Sequence, residues 1–104
     1  MSIKKKSKTV RTLEQAAGRQ LTLGGLLESI RLSEEITQAA FARQLGISPS
    51  HLCDIEKGRK IISPERAIRF AEILQRSSEQ FVRLALQELI DNAGIEMKVD
   101  VRVA

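Results

Sequence analysis

Aromatic side chains are scarce in this chain of 104 residues, which holds three Phe and neither Trp nor Tyr. That disfavours base-stacking platforms of the kind that grip single-stranded nucleic acid, and it leaves the core to be filled mainly by aliphatic side chains. Cysteine is reduced to Cys53 and histidine to His51. A lone cysteine permits no internal disulfide, which fits a reducing cytosol. No apolar run reaches the roughly 18 residues that suggest a membrane span. The early lysine run is not followed by the apolar stretch of a signal peptide. The expectation is a cytoplasmic protein with no membrane partner.

A net positive balance is also missing from most of the chain, although the formal net charge is +4. Residues 1–20 carry Lys4, Lys5, Lys6, Lys8, Arg11 and Arg19 against Glu14, a local balance of +5 that leaves −1 for the remainder. Any attraction of the body for a polyanion must therefore come from where individual side chains sit. Residues 1–21 read as a flexible basic tail. Its apolar content (Val10, Leu13, Ala16 and Ala17) forms a helical stripe too thin to fold alone, but one that can become ordered on a partner.

What is present from Thr22 onward is a dense series of helix signals. Thr22 can cap a helix with Leu23, Leu26, Leu27 and Ile30 on one face, its first turn weakened by Gly24 and Gly25. Thr37 caps a second helix, with Ala40, Phe41 and Leu45 inward and Gly46 as its stop. Both prolines follow a serine, and Ser48-Pro49 and Ser63-Pro64 each read as an N-cap with proline at the first helical position. The third helix turns Leu52 and Ile55 inward and stops at Gly58. The fourth carries Ala67, Ile68, Ala71, Ile73 and Leu74. Ser77 with Gln80 opens a fifth, carrying Phe81, Leu84, Ala85 and Ile90 and ending near Gly94. Residues 22–94 thus form one helical domain.

In residues 95–104 the period changes. Ile95, Met97, Val99, Val101 and Val103 alternate with Glu96, Lys98, Asp100 and Arg102, which predicts a β-strand. A strand needs a neighbour and the chain offers none, so pairing with the same strand of a second chain is expected. The charges select a register. With Val99 opposite Val99, Lys98 meets Asp100 and Glu96 meets Arg102, all of opposite sign; a slip of two residues either way brings like charges together, and a slip of four restores opposite signs but shortens the ladder. The common apolar face is expected to pack on the fifth helix near Phe81 and Leu84.

The stretch Thr37–Gly58 reads TQAAFARQLGISPSHLCDIEKG. A small helix, a glycine-centred turn and a second short helix can cross at a wide angle. The second helix has a polar face of Ser50, His51, Cys53, Asp54 and Lys57, as entry into the major groove requires. A Gln at the start of one helix, Gly at the turn and Ile-Glu-x-Gly at the end of the next resemble the lambda repressor/Cro helix-turn-helix family over roughly residues 23–76. The resemblance implies an all-α, five-helix DNA-binding domain, here followed by the strand that pairs across a dimer. It further implies an ion pair between Arg31 and Glu56, a phosphate grip by Gln38, and contacts to phosphate or base edges from Ser48 and Ser50. His51 lies on the same reading helix. Asp54, one turn further along, can accept a hydrogen bond from a cytosine amine, and Lys57, Arg59 and Lys60 would add phosphate contacts. Pro49 departs from the polar residue that strong readers of this family often place there, so modest specificity per half-site is expected.

His51 and Cys53 stand two residues apart on one short helix and so point about 200° apart. With no other His or Cys, a closed zinc site within the chain is excluded. No nucleophile–base pairing, phosphate-cradling glycine loop or mechanistic carboxylate pair is present, so neither an enzyme nor a cofactor is expected.

Two functions remain. One is an antitoxin that neutralises a toxin and represses its own operon, since the layout of basic N-terminus, helix-turn-helix body and terminal strand resembles HigA-type antitoxins. That resemblance implies a small mRNA-cleaving ribonuclease as partner, with Val10, Leu13 and Ala17 of the tail as its contact. The other is a stand-alone or phage-type repressor with no toxin. Either would bind a palindromic double-stranded operator as a homodimer.

Overall fold

The computed structural model describes residues 21–104. Five helices follow the order that the caps predict: α1 Leu23–Ser33, α2 Gln38–Leu45, α3 Pro49–Glu56, α4 Pro64–Leu74 and α5 Ser78–Asn92. All five N-cap hydroxyls perform the expected bond. Thr22, Thr37, Ser48, Ser63 and Ser77 accept from the backbone N–H of Gly25, Ala40, His51, Arg66 and Gln80, respectively. Each satisfies one of the donors that a helix start leaves without an intrahelical partner. The basic tail, with Val10, Leu13 and Ala17, lies outside the described residues apart from Leu21, which packs partly buried against the core.

The helices enclose one core. α4 lies along α5, α2 against α3, and α1 reaches both α3 and α5. Leu23, Leu27, Ile30, Leu45, Leu52, Ile55 and Ile62 supply its aliphatic part. All three phenylalanines are buried with them, one each from α2, α4 and α5 (Phe41, Phe70 and Phe81). On α4 the inward face is Ala67, Phe70 and Ala71, with Leu74 half-buried, whereas Ile68 and Ile73 are exposed. The expected stripe was too wide. Phe70 is the large side chain of α4 that is fully buried, and the two isoleucines fall outside the buried face.

Gly24 has a tertiary role that helix propensity conceals. A Cβ at this position would overlap the carbonyl oxygen of Ile55 and lie 2.9 Å from its carbonyl carbon. The glycine lets the first turn of α1 rest on the backbone at the end of α3. The same turn is held from the other side by Glu88 of α5, whose Oε1 accepts from the Leu23 N–H at 3.2 Å. Burial raises the pKa of Glu88, an effect that the Leu23 bond opposes and nearby Asp91 reinforces.

The terminal segment corrects an expectation. Among the described residues there is no strand, and residues 95–104 carry no regular element. One chain supplies no β neighbour, so side chains of α5 bind the segment instead. Gln87 Nε2 donates to the Met97 carbonyl at 2.7 Å and Gln87 Oε1 accepts from the Val99 N–H at 2.8 Å. Further on, Glu79 Oε2 accepts from the Val103 N–H at 3.1 Å. Partners on α5 fall from 87 to 79 as the segment advances, so it runs antiparallel to the helix. Packing near Phe81 and Leu84 is only partial. Val99 and Val101 are half-buried, while Ile95, Met97 and Val103 stay 42%, 69% and 78% exposed. Phe81 and Leu84 are already enclosed by the helical core.

Gly24→Ala puts the two roles of that residue in opposition. Alanine favours an exposed helix interior by about 1 kcal/mol, but a methyl group here meets backbone that cannot turn aside. The expected result is a net loss of about 1–3 kcal/mol, measured by thermal or urea unfolding; an equal or higher midpoint would show that α1 is free to shift away from α3.

Candidate nucleic-acid interface

The turn between α2 and α3 is built from local chemistry. Gly46 adopts the left-handed conformation at φ 77°, and the Ile47 N–H returns to the Ala42 carbonyl at 3.0 Å. Ser48 then caps α3 with Pro49 in its first turn. Phe41, Ala42 and Leu45 of α2 and Leu52 and Ile55 of α3 are buried. The opposite face of α3 is thereby left outward.

Glu56 anchors this unit. It is only 8% exposed and is the sole buried charged residue among those described. Arg31 Nε donates to its Oε2 at 2.8 Å and Arg31 Nη2 to its Oε1 at 3.0 Å. Gln38 Nε2 adds a third bond to Oε1 at 2.9 Å. Arg31 Nη1 also reaches the Ile36 carbonyl at 3.2 Å. One carboxylate thus joins the end of α1, the start of α2 and the last residue of α3. The hydrogen bond to Glu56 raises the pKa of Arg31, with the charge of Glu56 adding to it against partial desolvation. The ion pair that the family resemblance implied is present in bidentate form. Gln38, expected as a phosphate grip, also belongs to this network; its amide has two N–H groups, and Glu56 occupies one.

The remaining predicted contacts divide by environment. Ser48, Ser50, Lys57, Arg59 and Lys60 are exposed, and Ser48 Oγ is engaged as a cap by the His51 N–H at 3.0 Å. Asp54 is half-buried, and its Oδ1 accepts from Arg59 Nε at 2.9 Å. That hydrogen bond raises the pKa of Arg59. Two residues expected to contact DNA, Asp54 and Arg59, therefore form one ion pair with each other, which leaves Asp54 Oδ2 outside that bond. Arg59 Nη2 also lies 3.9 Å from Cys53 Sγ.

Arg66, absent from the sequence-based site, comes from the first turn of α4 to place Nη1 3.5 Å from His51 Nδ1. An arginine N–H can only donate, so this contact requires an unprotonated Nδ1 and favours the tautomer with hydrogen on Nε2. No local motif signals it, because the two residues belong to different helices.

A family profile described as helix-turn-helix matches residues 27–81, just over half of the chain. The chain belongs to this family, and it is a sequence-specific DNA-binding regulator of the lambda repressor/Cro type. The matched span runs from within α1 into the first turn of α5 and so contains Arg31, Gln38, Glu56 and the whole α2–α3 unit. Comparison with curated proteins and with solved structures gave no match. Among the described residues, no helix is long and apolar enough to cross a membrane.

Glu56→Ala is expected to destabilise the fold by about 3–5 kcal/mol, because Arg31 is then left largely buried without its counter-charge. Arg31→Met with Glu56→Leu, which removes both charges at similar volume, should recover most of that loss in urea unfolding. Equal losses in the single and double variants would show that packing at this site, and not charge pairing, determines stability.

Proposed function

We propose that the protein is an antitoxin, which binds a palindromic operator as a homodimer, represses its own operon and neutralises a cognate toxin through its N-terminal segment. The observation that carries the DNA-binding part is the buried Glu56 network, which sets α3 rigidly against α1 and α2 with its polar face outward. Lys57, Arg59 and Lys60 follow α3 directly and lie beside the phosphates when that helix enters the major groove. The second N–H of the Gln38 amide and the exposed hydroxyl of Ser50 complete the backbone contacts. Asp54 and His51 are the base readers, with Asp54 accepting and His51 Nε2–H donating.

The antitoxin part rests on the sequence of residues 1–20. A charge of +5 and the thin stripe Val10, Leu13 and Ala17 are suited to becoming ordered on a partner's surface. The HigA-type layout makes a small mRNA-cleaving ribonuclease the expected toxin. Both activities belong in the cytoplasm. The family match covers the DNA-binding body alone, which would serve a stand-alone or phage-type repressor equally well, so the experiments separate the two roles.

Binding to the DNA upstream of its own gene should weaken steeply with salt. Gln38→Ala and Lys57→Ala should lower affinity for all sequences alike, whereas Asp54→Ala should alter preference at one base position by about 1–3 kcal/mol. Titration against a panel of single-base operator variants reads both effects. An Asp54→Ala protein with unchanged affinity and unchanged preference removes Asp54 from the reading face.

Deletion of residues 1–20 is expected to abolish protection against the product of the neighbouring gene in a growth-rescue assay while operator affinity remains within a few-fold. Loss of operator affinity alone, with protection intact, would make the segment a DNA-binding arm and favour the repressor.

A further inference from the structure

We infer that Gln87 templates residues 95–103 as a half-made β-ladder, whose outward edge receives the same edge of a second copy of this chain with Val99 on the two-fold axis. This rests on the homodimer proposed above and specifies its interface.

The Gln87 side chain acts as a surrogate β neighbour. Its carbonyl and its amide take the Val99 N–H and the Met97 carbonyl, the two groups that an adjacent strand would take from residues i and i+2. Asp91 Oδ1 accepts from the same Nε2 at 2.9 Å and so fixes the orientation of the amide. Glu79 takes the Val103 N–H on the same side. In an extended chain, backbone groups of alternate residues point to opposite edges. The odd-numbered edge therefore faces α5, and the even-numbered edge faces away. Among the described residues, no backbone group of Glu96, Lys98, Asp100 or Arg102 makes a hydrogen bond.

Two symmetry-related copies must meet through the same edge, so even-numbered residues face even-numbered residues. Register shifts of an odd number are excluded by this geometry alone. Of those that remain, the one centred on Val99 places Lys98 against Asp100 and Glu96 against Arg102, each pair exchanging two N–H···O bonds and each of opposite charge. The neighbouring shifts oppose like charges. The same register sets Met97 against Val101 and Ile95 against Val103, so that the side chains left most exposed in one chain gain an apolar partner. Arg102 Nε lies 3.4 Å from Asp100 Oδ2 within the chain, and both side chains are highly exposed, so this contact yields readily to the interchain pairs. The charge complementarity and the unused edge together point to a second copy as the occupant.

The test is a cysteine scan on the full-length chain in a Cys53→Ser background, read beside sedimentation velocity. At a non-hydrogen-bonded antiparallel pair the Cα atoms stand about 4.5 Å apart, within disulfide range. Val99→Cys should therefore cross-link to a covalent dimer under mild oxidation. Met97→Cys and Val101→Cys should not, since each is displaced from its own symmetry mate by four residues, about 13 Å. Lys98→Asp should weaken the dimer by about tenfold, with Asp100→Lys in the same chain restoring it. Gln87→Ala should weaken it by a similar factor. A dimer that cross-links best at position 97 or 101, or at none of the three, overturns the edge and register while leaving the dimer intact. A protein that sediments as a monomer at every concentration overturns the dimer as well, and operator binding then reports separately on the reading helix.

Discussion

A single buried carboxylate orders the DNA-binding half of this molecule. Glu56 ends α3, and burying its charge is tolerable only because three N–H donors converge on it. The donors come from Arg31 at the end of α1 and Gln38 at the start of α2, so satisfying the charge fixes three chain segments at once. Apolar packing between short helices is permissive in angle, whereas a bidentate guanidinium–carboxylate pair is not. The network therefore adds orientation to a core that already supplies cohesion. Gly24 acts beside this network. By lacking a side chain it lets α1 approach the Ile55 backbone, one residue before Glu56.

Electrostatics in the body follow placement more than quantity. The residues after the tail sum to −1, yet Lys57, Arg59 and Lys60 lie together where α3 ends. Arg59 closes on Asp54, so the reading face presents a neutralised pair instead of two free charges. In the proposed reading mode, binding DNA would exchange this exposed pair for contacts to phosphate and base, and an exposed pair of this kind costs little to open. With Pro49 at the start of α3, the face has short side chains and one imidazole held by Arg66. In the proposed homodimer, such a face would gain much of its selectivity from the joint use of two half-sites.

The terminal segment is held against a helix by side chains and not by a second strand. An extended peptide has two hydrogen-bonding edges, and an isolated one is marginal in water. Here a glutamine amide and a glutamate, two helical turns apart on α5, satisfy part of one edge and leave the other outward. Exposed edges invite unwanted pairing. In the proposed dimer the alternating charges of Glu96, Lys98, Asp100 and Arg102 would restrict which register is acceptable.

The helix count, the five caps, the turn at Gly46 and the pair Arg31–Glu56 were all legible in the amino-acid order, either directly or through the family resemblance. These features depend on hydroxyls three residues from their N–H donors, on glycine at a left-handed position, or on a motif of fixed spacing. Apolar periodicity was less exact: it placed Ile68 and Ile73 inward, because a pattern of apolar residues gives the face of a helix but not which large side chain occupies the facing space. What needed the tertiary structure were contacts between elements distant in sequence. The steric role of Gly24, the bond from Glu88 to the start of α1, the Arg66–His51 contact and the clamp of Gln87 on residues 97–99 each join different elements. No local rule encodes them, because the distances that create them exist only once the helices have packed.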